Sequence, residues 1–472
     1  MDQSRQGRLI AGGMTLALFA AQAALMKGTL AHLTHAWDAP ALSALFALVY
    51  GGALFAVRRM RGLGRAETLF VGAVMAVTML ARVAMLDFET ADYHSFLAPW
   101  IELYREGGFS TLAQNVGDYN LLYQYALLLI AHTPLFDLYL VKLLTVIFDF
   151  LLALAMMRAA DHYAGRAASI AVLLIVPALP TVLLGGACWG QCDAVYAFFV
   201  ISCLVDLETG HPSRSAAMLA VAFAFKLQTI FFFPVVLLGL IHRRYNVRHA
   251  LVFAGAYLVT MLPALLAGRS FLSALSVYAN QSMGQYYDRL TYNAPNLYLF
   301  FPMLEFATSQ EYTWMRYIPG IDGKGTNPYL TDTLMPTLQS AALYACVLLT
   351  LIAVIYWLMH AREITEEMTL TFALFFAIFL PFVMPKIHER YFFLADMLSI
   401  LYAAKVARRR FMPLLVVSAS LMSYIPYLTR QRPVDERWLA LLMLAALIVV
   451  ARDLLGEMRA NRARLAKGGA KA

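Results

Sequence analysis

Three carboxylates, Asp87, Glu89 and Asp92, fall within six positions of the stretch MLDFETADYHSFLAPW, directly after a long run of apolar sequence. Ionisable groups near membrane depth cost roughly 2.5–3.5 kcal/mol each on insertion scales, so they call for a reason. Four more polar clusters break apolar surroundings: GDYNLLYQY (117–125), WGQCDAVY (189–196), KLQ (226–228) and PKIHERYF (385–392). An arginine beside a histidine, Arg390 and His388, with Lys226 elsewhere, is what a phosphate or diphosphate at headgroup level requires. A carboxylate facing water is what a general base for a hydroxyl requires. Aromatic-rich loops suit a carbohydrate, whose C–H faces stack on rings. Together these types point to sugar transfer from a lipid phosphate.

Each cluster also has a plainer reading. Glu89 and Asp92 can be solvated loop residues, and Asp118 can cap the helix that follows it. Trp189 can belong to an interfacial aromatic belt. Lys226 can snorkel, and Glu389 and Arg390 can form an internal clip. Lys142 and Asp149, seven apart on one helix face, read as a structural pair inside the bundle and outside the site.

The elements that must position these groups are set by composition. The 472 residues are 61% hydrophobic and 14% charged, with a mean hydropathy of +0.65. A soluble domain carries roughly 25% charged and roughly 45–50% apolar residues, so the chain reads as a polytopic all-α membrane bundle. Apolar runs near or above the length of the ~30 Å hydrocarbon layer fall at 9–26, 41–57, 67–86, 138–157, 167–185, 194–207, 215–226, 229–241, 249–267, 336–359, 367–384, 392–404, 412–428 and 437–450. With 215–241 readable as broken half-helices around Lys226, the expectation is about 12–14 spans. Four cysteines sit in or beside these runs, and the CxxxC spacing of Cys188 and Cys192 marks buried hydrophobes more than a zinc or redox pair.

The net charge of +8 is concentrated in RRMRGLGR (58–65), Arg158 and Arg166, HRRYNVR (242–248), KVARRR (405–410) and the tail after Arg452. By the positive-inside rule these segments are cytoplasmic, as are both termini. The basic charge is therefore a topology signal, and no nucleic-acid partner is expected. Asp87 then emerges outside, on the face of two long aromatic-rich loops, 87–137 and 268–335. FLAPWIELYREGGF reads as an interfacial amphipathic helix with Trp100, Tyr104 and Phe109 at headgroup level. The organisation expected is N-terminal spans (1–86), a first extracytoplasmic loop with the acid (87–137), a core transmembrane module (138–267), a second loop (268–335), and C-terminal spans with the His-Glu-Arg loop and basic tail (336–472).

These residues resemble the GT-C superfamily of integral-membrane glycosyltransferases, which use polyprenyl-phosphate sugars. The similarity is nearest to the dolichyl-phosphate-glucose glucosyltransferases of N-glycan assembly and to bacterial proteins related to GPI mannosyltransferases. LDFETADYHSF is similar to the family's Gly-Asp-Phe/Tyr-Glu-Ala motif without its glycine. GDYNLLYQY resembles an Asp-Tyr-Pro-Pro stretch with Asn120-Leu121 for the prolines, KLQTIFFFP a Lys-Gln pair with Leu227 inserted, and IHERYFF a His-Glu-Lys motif with arginine for lysine. WGQCDAVY and PKIHERYFFLAD look like the bacterial branch. The resemblance covers roughly 85–400.

It implies an inverting transfer of a hexose on the periplasmic or lumenal face of a membrane, for bacteria the inner membrane, from a donor such as an undecaprenyl-phosphate mannose or glucose. Asp87 matches the catalytic base. His388, Glu389 and Arg390 match the donor-phosphate region, with Lys226 a further phosphate ligand. Glu89, Asp92, Asp118, Tyr119, Tyr123, Trp189, Gln191, Asp193, Gln228 and Glu389 are the expected sugar and acceptor contacts. The acceptor is a lipid-linked glycan, a lipid or a similar hydroxyl compound, and membrane lipid is the surrounding partner. No cofactor is expected. A divalent metal between Asp87 and Glu89, spaced DxE, is the less favoured alternative. The competing functions are a lipid-linked-sugar transporter or flippase, and a polysaccharide polymerase or ligase using a lipid diphosphate.

Overall fold

The computed structural model describes residues 3–283, 290–300 and 335–469. They are almost wholly helical, and the only strand pairing among them is a two-residue parallel match of Thr291–Tyr292 with Ile387–His388. All fourteen apolar runs fall on helices, as an all-α membrane bundle requires. Nine helices among the described residues are long and apolar enough to cross a membrane, and Leu121–Ala131, Pro212–Phe225 and Leu227–Ile241 are shorter apolar ones. Several carry apolar side chains on bare flanks, such as Leu251, Val259 and Leu266, or Tyr344, Leu348 and Met359. Such flanks are stable only against an apolar solvent. This is a membrane protein.

Two compact units divide the chain. Residues 1–229 and 247–281 form the first, residues 230–246 and 282–472 the second.

In the first unit, α1 (Gln3–Thr29) packs on α2 (Asp38–Arg61) and α3 (Arg65–Val83). The loop 87–137 is itself folded. It holds a π-helical turn at Tyr93–Leu97, α4 (Ala98–Gly107), a 3-10 turn at Gly108–Ala113 and α5 (Leu121–Ala131). The 42-residue α6 (Asp137–Ala178) would reach about 63 Å at 1.5 Å per residue, twice the hydrocarbon thickness. It folds back at Gly165, whose φ of 78° and ψ of −174° are non-helical, so the two expected spans 138–157 and 167–185 are joined through one glycine. After α7 (Pro180–Leu183) and a second π-helical turn at Leu184–Cys188 come α8 (Asp193–Glu208), α9 (Pro212–Phe225) and the helix Val247–Leu266. α8 lies between α6 and α9, and Val247–Leu266 packs on α9.

The basic loops meet at one end of this unit. Arg61 pairs with Asp161 at 2.6 Å and Arg166 with Glu67 at 2.8 Å, while Arg158 and Arg214 share Asp206.

In the second unit the helix Thr369–Val383 is buried at the centre, against Glu436–Gly469 and Phe393–Lys405. Met412–Thr429 packs on both of the latter, and Met335–Met359 is the exposed outer helix. Of the expected second loop, 284–289 and 301–334 lie outside the described residues.

Candidate functional site

The acid stretch begins where α3 stops. Its last backbone carbonyls have no helical partner, and the chain tightens through Met85 N–H to Arg82 O (3.0 Å) and Leu86 N–H to Val83 O (3.2 Å). The carbonyls of the turn beyond the helix are collected by Lys142 of α6. Its ammonium donates to Met85 O (2.9 Å), Leu86 O (2.8 Å) and Phe88 O (2.6 Å), which uses all three of its protons. The turn carrying Asp87 is thus pinned from below by a fully buried cation. One helical turn earlier on α6, the Tyr139 hydroxyl donates to Asp87 Oδ1 at 2.5 Å and accepts the His32 N–H at 3.2 Å. The Ala31 N–H also donates to Oδ1, at 3.2 Å. Asp87 Oδ2 makes no hydrogen bond among the described residues, and the side chain is half-buried. One oxygen is held and the other is open.

This arrangement corrects the expectation that Lys142 pairs with Asp149. Seven residues along a helix span about 10 Å, beyond ion-pair reach. Asp149 Oδ2 instead accepts from Arg82 Nε at 3.0 Å, and Lys142 serves the backbone of the acid turn. A Cβ on Gly186 would lie 2.9 Å from Asp149 Oδ2, so the glycine in the second π-helical turn makes room for that carboxylate.

Glu89 sits between two imidazoles, with His32 Nε2 2.9 Å from Oε1 and His94 Nε2 2.6 Å from Oε2. It is not simply solvated. Nor is Asp92, whose Oδ2 accepts from Trp189 Nε1 and from Gln191 Nε2, both at 2.9 Å. The Tyr119 hydroxyl donates to Gln191 Oε1 at 3.2 Å and its ring lies 4.6 Å from that of Tyr123. The acid loop, GDYN and WGQC are therefore one hydrogen-bonded surface. Trp189 is 1% exposed, which excludes the aromatic-belt reading.

Asp118 is exposed, and the cap of α5 is Asn120, whose Oδ1 accepts the Leu121 N–H at 2.7 Å. Gly117, with φ of +64°, has the Trp100 ring 2.4 Å from where a Cβ would stand, so both its conformation and its space demand glycine. Tyr104 departs from its expected headgroup position. It is fully buried, with its hydroxyl 3.1 Å from Gln124 Oε1, because α4 packs on α5; Phe109 is exposed. Burial raises the Tyr93 and Tyr104 phenols above their ordinary pKa, so both stay protonated donors, Tyr93 to Asp137 Oδ1 at 2.6 Å.

Lys226 does not snorkel. Its Nζ donates to Asp193 Oδ1 at 2.7 Å, with both side chains buried, so each charge is matched by the other. Lys226 ends α9 in an extended conformation, and Gln228 follows it, buried, in a 3-10 turn.

No protein-family model and no curated protein matches this chain.

In the second unit the His388 loop is shaped by the strand pair. The Lys386 N–H donates to Leu290 O at 2.8 Å, and Tyr292 lies opposite His388. Their rings stack at 4.7 Å with 14° between planes. The Tyr298 hydroxyl, donating to Val383 O at 2.8 Å, fastens residues 290–300 to the end of Thr369–Val383. Glu389 and Arg390 approach to 3.5 Å, close to the internal clip expected of them, and His388 Nδ1 lies 4.0 Å from Glu389. Burial lowers the pKa of Lys386, which has a left-handed φ of +61°.

Four residues of this geometry escaped the sequence reading: His32, Tyr139, Lys142 as a turn anchor, and Tyr292. The available signal was Tyr139 and Lys142 at i and i+3 in a largely apolar stretch of α6. His32 and Tyr292 carried none.

Proposed function

We propose that the chain is an inverting glycosyltransferase of the membrane, moving a hexose from a polyprenyl-phosphate donor to a hydroxyl of a lipid-linked glycan or similar acceptor. The observation that carries this reading is Asp87. Its Oδ1 is fixed by the Tyr139 hydroxyl and the Ala31 N–H, and its Oδ2 makes no hydrogen bond among the described residues. In the reaction Oδ2 takes the proton of the acceptor hydroxyl as that oxygen attacks the anomeric carbon. The bond to the donor phosphate oxygen breaks, and the phosphate leaves as an anion without a general acid. The transition state has the oxocarbenium character known from glycoside hydrolysis. Tyr119, half-buried, meets the sugar, while the buried Tyr123, Trp189 and Gln191 position it and Asp92 from behind. His388 and Arg390 take the donor phosphate. Lys226, already matched by Asp193, holds the bundle instead.

Basic loops gathered at one end of the first unit support a cytoplasmic face there, and the same reading takes both termini as inside and Asp87 as periplasmic in a bacterial inner membrane. The GT-C architecture of about 12–14 spans belongs to the same reading.

The test is transfer by purified protein against a panel of polyprenyl-phosphate sugars. A new glycosidic bond with inverted anomeric configuration is expected. Absence of transfer from every lipid-monophosphate sugar, with transfer from a lipid diphosphate, would make the chain a polymerase or ligase. The buried pairs Arg82–Asp149 and Lys226–Asp193 inside apolar helices favour a second reading, a lipid-linked-sugar flippase, because charges at that depth also line transport paths. Movement of labelled donor across vesicles with no bond made would establish it.

Two outcomes follow for this assay. Arg390→Ala is expected to raise the donor KM or lower kcat, together costing about 10²-fold, the usual scale for removing one donor to a developing anion. Unchanged KM and kcat would displace the phosphate from Arg390. EDTA is expected to leave the rate unchanged. A loss restored by added Mg²⁺ or Mn²⁺ would put a metal between the acids.

A further inference from the structure

At one end of the second unit lies a cavity of about 660 Å³, whose lining includes Arg408, Arg409, Arg452, Asp453 and Glu457. It stands where two apolar helices finish, after Phe393–Lys405 and where Glu436–Gly469 passes from its apolar run (437–450) into a basic extension. That is headgroup depth for a helix whose apolar part spans the hydrocarbon.

The cavity is built. Asp453, 5% exposed at its side chain, accepts from Arg409 Nε and Nη2, both at 2.6 Å, from Arg408 Nη2 at 3.3 Å, and from the Tyr402 hydroxyl. One carboxylate therefore orients two guanidinium groups. A planar guanidinium carries five N–H donors, so Arg408, two-thirds exposed, keeps most of its own toward the opening. Arg452 is exposed and forms no ion pair among the described residues. Three arginines against Asp453 and Glu457 leave one uncompensated positive charge, the counter-charge of a single phosphodiester.

We propose that this cavity binds a phosphodiester, specifically the headgroup of an anionic phospholipid at that membrane face. Arginine forks match phosphate oxygens in pairs, and basic pockets between spanning helices suit anionic headgroups. The inference stands apart from the transferase reading, since none of these residues belongs to the acid loop or the His388 loop.

The test uses the full chain in neutral detergent, titrated with short-chain phosphatidylglycerol and, separately, phosphatidylcholine, with bound lipid counted by native mass spectrometry. Phosphatidylglycerol is expected to saturate one site that phosphatidylcholine does not fill. Arg408→Gln and Arg452→Gln are expected to weaken it about fivefold each, about 25-fold together, at the usual worth of one arginine near a headgroup. Arg464→Gln, farther along the same helix, is expected to leave it unchanged. Equal binding of the two lipids, or a double variant that titrates like the wild type, would overturn the proposal. Displacement of the lipid by inorganic phosphate at matching concentration would overturn the lipid assignment in favour of a soluble phosphate. If the double variant unfolds, Arg452→Gln alone carries the test, because no ion pair among the described residues depends on it.

Discussion

Asp87→Asn is expected to lower glycosyl transfer by about 10²–10⁴-fold, the range that a positioned general base supplies, while donor binding stays as in the wild type. Asparagine keeps the shape of the side chain. Its oxygen can still accept from the Tyr139 hydroxyl and the Ala31 N–H, so the turn should survive. The group now facing the acceptor is an amide, which cannot take a proton. The loss should therefore appear in kcat, with the donor dissociation constant unmoved. Retention of more than about a tenth of the wild-type turnover would remove Asp87 from the role, since no base worth about 10²-fold could then reside there.

Arg82→Met is expected to destabilise the protein by about 3–5 kcal/mol, because it strands a charge that has no access to water. Arg82 and Asp149 are both essentially unexposed, and their contact at 3.0 Å is the only ion pair of either among the described residues. Neutralising both, as Arg82→Met with Asp149→Asn, should recover much of that loss, since the stranded charge is gone. Lys142→Met is expected to be costly too, by about 1–3 kcal/mol for each buried carbonyl left without a donor. Asp149→Asn should not rescue it. Unfolding in mixed micelles for the three single and two double variants forms two cycles, and the structure requires coupling in the Arg82 cycle alone. Coupling of Lys142 with Asp149 would restore the pairing that their sequence spacing suggested and contradict the anchored turn.

Those two cases mark the boundary between what was legible in the sequence and what was not. The helical membrane architecture followed from composition and from apolar runs of sufficient length, because in a bilayer the backbone must satisfy its own hydrogen bonds and the side chains must match hydrocarbon. That constraint acts locally along the chain. The acid stretch, GDYN and WGQC were likewise visible as polar residues where apolar ones are cheaper.

Their partners were not visible. Asp92 meets Trp189 and Gln191 across nearly a hundred residues of sequence. Lys226 meets Asp193, and Asn120 caps α5, a role that Asp118 could also have filled. A polar group at depth announces only that it needs a partner, and any complementary group at that depth satisfies the need. Which one does so depends on how the helices are packed.

The amino-acid order by itself determined that this chain crosses a membrane as helices, and that its ionisable residues gather in a few stretches. Only the tertiary structure decided that Lys142 grips the backbone under Asp87, that Tyr139 and Ala31 occupy one of its oxygens, and that the other stays open. The reason is reach. Hydropathy is carried residue by residue, whereas a hydrogen bond needs donor and acceptor within about 3 Å, and helix packing alone brings residues 31, 87, 139 and 142 that close.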